Sequence, residues 1–282
     1  METNNIDHSS PLSKYSRQPK LFISLPSNGQ WYGKDILKSA EDIEVFSMTA
    51  SDEIALKTPD GLITGQVVVD VIQSCIPAIK DPWLISMYDF DYILAAIRMA
   101  TYGGDITVTG TCSKCGNQDA FAVNIQAILD HIDKAVYKTE IKINDFFLRI
   151  RPLYYKEATE LNKITTAVQR AILQQIPNIQ DDDKKQEQIE SLYKMINTAT
   201  LDAVTAGVTE VVTPEGDSEK NPQFIKDFIR NTDPSFYNSL QETYKENNKQ
   251  IAIPEYDVEC GECTHKYKIS TQLDQANFFG KG

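Results

Sequence analysis

The sequence predicts an α+β fold, with small strands and helices gathered around a pair of cysteine turns and a helical subdomain inserted between them. Three observations carry this reading. Four of the five cysteines fall in two Cys-x-x-Cys motifs, Cys112-Ser113-Lys114-Cys115 and Cys260-Gly261-Glu262-Cys263. Short alternating segments flank both motifs: Asp105–Thr111 and Asp119–Ile125 around the first, Tyr256–Glu259 and Lys266–Ser270 around the second. Each pair reads as the two strands of a hairpin. The motifs are separated by 144 residues, 116–259, most of them with helical periodicity. In a reducing compartment, paired Cys-x-x-Cys turns read as a zinc site before they read as disulfides. Each turn offers two thiolates, and two turns complete a tetrahedron. The fold class is therefore small strands and helices around a split zinc ribbon, with an inserted helical subdomain. The ligand set is Cys112, Cys115, Cys260 and Cys263, and His265 is a spare donor two residues beyond the last of them. The competing reading is two unrelated turns with free thiols. A redox role fits less well, because neither motif opens a helix whose dipole would lower a thiol pKa.

The elements follow in order. Residues 1–20 are polar and read as a flexible arm. From Leu21 a strand runs into Leu25-Pro26-Ser27-Asn28-Gly29, where Asn28-Gly29 marks a turn. A second strand is expected over Asp42–Ser47. Thr49, with acids at 52 and 53, opens a short helix that Pro59 and Gly61 end. Thr64 caps the next helix, whose apolar residues at 67, 68, 71, 72, 75 and 76 share one face; Cys75 is core packing. Asp81-Pro82 breaks the chain. Asp89 caps a helix with Tyr92, Ile93, Ala96, Ile97 and Ala100 inward, stopped at Gly103-Gly104. Arg98 in that otherwise apolar helix reads as a snorkelling arginine or one salt-bridged to Asp89 or Asp91. After the first cysteine hairpin, a short helix carries Ile128, Leu129 and Ile132. Lys138–Ile143 and Phe146–Arg151 form a hairpin with one wet face. Helices follow over 155–176 and 186–206, with Asp181–Lys185 as a solvated turn and 213–219 as a loop. Asn221-Pro222 and Asp233-Pro234 start helices at 222–230 and 234–247. Gln250–Ile253 returns as a strand. The chain thus divides into an arm (1–20), an α+β body with the first cysteine turn (21–150), a helical insertion (151–250), and the second turn with a tail (251–282). The tail carries Asn277-Phe278-Phe279, a docking hook or a packing element.

Composition narrows the function. Lys and Arg number 28 against 40 Asp and Glu, a net charge of −12. Such a field repels phosphate and argues against nucleic acid or anionic membrane as a partner. No apolar run approaches the roughly 18 residues of a membrane span. The residues Met1–His8 have neither the basic nor the apolar region of a signal peptide, so assembly in a reducing cytoplasm is expected. No phosphate-binding loop, dinucleotide fingerprint, metalloprotease helix or nucleophile elbow occurs. Of three histidines, only His131 is placed to serve a catalytic triad, and no nucleophile motif lies near it. A closed four-thiolate zinc has no open position for water. The chain is therefore read as not an enzyme.

Leu25–Gly29 with Tyr32, Ser47–Ala50 with Glu53, the amphipathic stretch around Cys75-Ile76, Asp91–Arg98 with Tyr102-Gly103, and Cys112–Gly116 form an ordered series over residues 21–130. This series resembles the N-terminal half of the T4-type phage baseplate protein family, whose members belong to the baseplate hub or assist its assembly. The resemblance implies a structural or assembly component of a contractile tail. Its partners would be baseplate hub and tape-measure-like tail proteins in an oligomeric assembly. It would reside in the host cytoplasm during assembly and in the tail baseplate of the virion. No catalytic residue comes with the resemblance, and residues 151–250 match nothing in it. The second reading is a zinc-ribbon protein of nucleic-acid metabolism, which the net charge opposes.

Overall fold

In the computed structural model, described over residues 16–57 and 64–270 together with residues 11 and 61, strands and helices are mixed along the chain. β1 (Pro19–Ile23) pairs antiparallel with β2 (Ile43–Phe46), and Ile23, Ile43 and Val45 turn inward. α1 (Ala50–Leu56) starts on a capping box: the Thr49 hydroxyl accepts from the Asp52 N–H, and the Asp52 carboxylate accepts from the Thr49 N–H. α2 (Gln66–Cys75) buries Val68, Val69, Val71, Ile72 and Cys75. α3 (Met87–Tyr102) is enclosed along its middle, with Ile93, Leu94, Ala95, Ala96 and Ile97 all buried. These elements share the larger core with α4 (Ile125–Asp133), which Asn124 caps.

β3 (Asp105–Thr111) and β4 (Gln118–Asn124) form the first cysteine hairpin; β9 (Tyr256–Glu259) and β10 (Lys266–Ile269) form the second. Between them lies a four-stranded antiparallel sheet in the order β5 (Glu140–Ile143), β6 (Phe146–Ile150), β7 (Val208–Val212), β8 (Ser218–Glu219). Ile141, Leu148 and Val211 stand in register on its buried face. Glu140, Arg149 and Glu210 stand in register on the other, where Arg149 reaches both carboxylates at 3.2 and 2.6 Å. α7 (Pro222–Asn231) and α8 (Pro234–Ile251) complete this second core through Ile225, Ile229, Phe236 and Leu240. α5 (Tyr155–Gln174) and α6 (Asp182–Ala206) leave the sheet as a long hairpin with a small core of its own, Val168, Ala171, Ile176 and Leu192.

Several sequence expectations change. Residues 17–20 are tied to the body rather than to the arm, since the Arg17 guanidinium donates to the Ser47 carbonyl at 2.8 Å and β1 begins at Pro19. Gly65, not Thr64, is the cap of α2. Ser86, not Asp89, caps α3. Asp181 caps α6 directly, so the acidic run is the first turn of a helix, where its charge meets the helix dipole favourably. Residues 208–212 form a strand inside the segment expected to be helical. The β6–β7 register shifts at Arg149/Ile150, which breaks the alternation that would have revealed it. Gln250 and Ile251 end α8 instead of starting a strand, because Phe236, Leu240, Tyr244, Asn247 and Ile251 continue one helical stripe. The Asn277–Phe279 segment lies outside the described residues.

Phe236 is 1% exposed and meets Phe146 and Phe228 edge-on, at 5.9 and 5.5 Å between centroids. Phe236→Ala is expected to cost about 3–5 kcal/mol, read as a lower urea midpoint with an unchanged m value.

Candidate metal centre

Each cysteine turn is built by its own backbone. In the first, the Gly116 N–H donates to the Cys112 carbonyl at 2.9 Å and the Cys112 N–H to the Asn117 carbonyl at 2.8 Å. In the second, the Thr264 N–H donates to the Cys260 carbonyl at 3.0 Å and the Cys260 N–H to the His265 carbonyl at 3.0 Å. The two turns are thus the same object, with Gly116 (φ 76°) and Thr264 (φ 54°) in the same left-handed place. In each turn that residue is followed by the outgoing strand, and both sulfurs of the turn lie in the common cluster.

The four sulfurs lie within 4.8 Å of one another. Cys112 Sγ is 3.7 Å from Cys263 Sγ, and Cys115 Sγ is 3.6 Å from Cys260 Sγ, far longer than an S–S bond of about 2.05 Å. A zinc ion with Zn–S near 2.3 Å needs a sulfur tetrahedron with edges of about 3.8 Å. The cluster therefore has the size and donor set of a tetrahedral thiolate metal site, and is compatible with zinc. Cys112 and Cys260 are buried, Cys263 is half-buried and Cys115 is exposed. Burial pushes the Cys112 thiol up, but N–H groups of Cys115 and Lys114 outweigh it and bring the thiol down to about 7. The Asn117 N–H lowers Cys115, yet the Cys263 sulfur, burial and the other two sulfurs hold it up at about 12. Four thiolates this close repel, so full ionisation calls for a cation among them.

Two residues outside the motifs hold the turns together. Asp119 on β4 accepts from the Gly261 N–H at 3.0 Å and from the Asn117 side-chain amide at 2.9 Å, tying one turn to the other. Gly110 on β3 leaves room for the other hairpin: a Cβ there would sit 2.5 Å from Ile269 Cγ2. Phe121 and Tyr267 close the contact edge-on at 6.2 Å. Sequence reasoning missed both residues. The signal was faint: a glycine inside a strand marks close approach, and Asp119 stands only four residues past Cys115. His265 stays out of the cluster, its Nε2 lying 3.4 Å from Ser113 Oγ. His131 is 3.1 Å from the Ala252 carbonyl through Nε2, a structural contact to a backbone oxygen.

The Leu25–Tyr32 motif and Asp89 also find their place. Asp89 is buried and accepts from the Ser27 N–H at 3.0 Å, from the Ser86 hydroxyl at 3.2 Å and from the Tyr32 hydroxyl. Burial pushes its carboxyl upward. The motif fastens the loop after β1 to the start of α3. Asp89 is spoken for by these groups rather than by Arg98, whose guanidinium lies over the Tyr102 ring at 5.1 Å.

Fold and site together define an α+β protein in which two hairpins, distant in the chain, join over four sulfurs. The chain belongs to the T4 bacteriophage base plate protein family, whose model matches residues 34–280. No curated protein and no solved structure matches it. The family match runs through residues 151–250, beyond the N-terminal series that first resembles the family. Membership makes the chain a tail baseplate protein. Among the described residues, no helix is long and apolar enough to cross a membrane.

The two turns make an internal control. A Cβ at position 116 would meet nothing within 4 Å, so Gly116→Ala is expected to cost about 1–2 kcal/mol through backbone conformation alone. Thr264→Gly is expected to raise stability, since it relieves the same conformation in a β-branched residue. Paired thermal melts check both signs.

Proposed function

We propose that Cys112, Cys115, Cys260 and Cys263 hold one structural zinc, and that the chain is a non-enzymatic component or assembly factor of the baseplate hub region of a contractile tail. The observation that carries the role is the family match over residues 34–280. The sulfur tetrahedron supports the zinc: its donor set is all thiolate, its edges fit, and it leaves no position for a substrate water. Zinc supplies neutralisation and a fixed geometry there, and the cysteines supply the rigid corner. Rigid bodies lose less freedom on assembly, which favours a structural role. Hub and tape-measure-like proteins are the proposed partners, met in the host cytoplasm during assembly, with the 151–250 segment as a contact region. The long α5–α6 hairpin supports that choice, since it presents exposed Leu173, Tyr193 and Met195. A role in nucleic-acid metabolism is disfavoured by the net charge of −12.

Protein purified without chelator is expected to contain one zinc per chain by elemental analysis. Cys112→Ser and Cys260→Ser should lose the metal and destabilise alike, because each opens the same shell. Structural zinc is worth on the order of 10–16 kcal/mol in small peptides, comparable with the whole stability of a domain. Metal-free protein, or unequal loss, would remove the zinc reading.

Deleting the gene from its source phage tests the assembly role separately. Tails without baseplates, or free hub intermediates, are expected by electron microscopy. Contractile, infectious tails without this protein would rule the role out.

A further inference from the structure

A cavity of about 460 Å³ opens where α3, α5, α6 and α8 meet. Its walls are mainly apolar, with Met87, Leu161, Ala203 and Ile251 among them. One acid lines it. Asp91 is half-buried, and among the described residues no hydrogen bond or ion pair reaches its carboxylate. Lys245, also on the wall, is engaged 2.6 Å away by Glu242. An acid in such a place is costly: burial pushes its carboxyl up to about 6. The neighbouring Asp89 shows the contrast. It is at least as buried, yet three partners satisfy it.

We infer that this cavity is a docking site for a lysine or arginine side chain of a partner protein, flanked by apolar residues that fill the walls. The charge decides the occupant. A cation would supply the partner that Asp91 lacks among the described residues, in a recess more shielded from water than the open surface. The volume suits a side chain with its neighbours, within the usual range of about 300–1,000 Å³ for a ligand cavity. The place suits assembly, because four helices from both cores contribute to the wall and an occupant would lock them together. That the occupant is a protein rests on the baseplate reading above; the cationic chemistry does not.

The test places a photo-crosslinking amino acid at Leu161, on the cavity wall, in the full chain made during infection. Cross-links are mapped by mass spectrometry, with Asp91, Asp91→Asn and Asp91→Glu in parallel. The expected product is a partner peptide with Lys or Arg within two residues of the cross-link. Its yield should fall at least 10-fold in Asp91→Asn and recover in Asp91→Glu. Asp91→Asn removes a desolvated charge, so its melting temperature should stay level or rise, which separates lost docking from lost folding. Cross-links to segments without a basic residue, to residues 271–282 of the same chain, or to no protein at all would overturn the inference. So would a yield indifferent to Asp91→Asn. A basic segment from a protein outside the tail would sustain the inference while defeating the hub assignment.

Discussion

Everything in this chain has to accommodate one constraint: Cys112 and Cys115 must meet Cys260 and Cys263. The residues between them must leave the first hairpin, build a second core and a helical hairpin, and return within a few ångströms of where they left. Closing so long a loop costs configurational entropy that grows only as the logarithm of its length. A tight closure is therefore affordable even at this span, provided the joint is strong. The joint is strong in several currencies at once. Asp119 holds the Gly261 backbone, Gly110 lets Ile269 come close, and Phe121 meets Tyr267. Sulfur geometry is the centre of an interface, not an isolated cluster.

The interface also sits on the larger core. Ile106 and Val108 of the first hairpin and Tyr256 of the second pack against it, with Val123 buried inside. The segment that leaves the second core after β6 is tied to the first by backbone: the Met87 N–H donates to the Leu153 carbonyl and the Tyr155 N–H to the Ile85 carbonyl, both at 2.8 Å. Trp31 meets Tyr88 and Tyr137 edge-on at the second core. Arg151 then grips Glu157 with two bonds of 2.8 and 2.7 Å and lies over the Tyr154 ring, fixing where α5 departs. The base of the α5–α6 hairpin is thus held by this ion pair together with Tyr155, which is buried in the larger core and stacks on Phe90 and Trp83.

Legibility followed the range of each interaction. The cysteine hairpins, the caps at Thr49, Asn221 and Asp233, and the wet-faced hairpin of β5 and β6 were readable because local rules place them. Asn144, at φ 53°, turns that hairpin as its position predicts. β7 was not readable, since its partner lies some sixty residues earlier and its alternation is broken by a register shift. The end of α8 was misread because Ile251 and Ile253 alternate like a strand; only the stripe from Phe236 onward shows the helix. At the site, the four sulfurs were visible as spacing, whereas Asp119 and Gly110 act across hairpins and carry no pattern of their own. The role of the Leu25–Tyr32 series was opaque for the same reason: its acceptor, Asp89, is far along the chain.

Asp89 and Asp91 put a buried and a half-buried acid side by side on one helix. Asp89 has three donors and fixes a loop, so its desolvation is offset within the chain. Asp91 has none among the described residues and faces a cavity. Selection on stability alone would replace such an acid with an apolar residue that fills the space. A protein whose work is to join others has a different optimum, because part of its polar surface is satisfied only in the assembly.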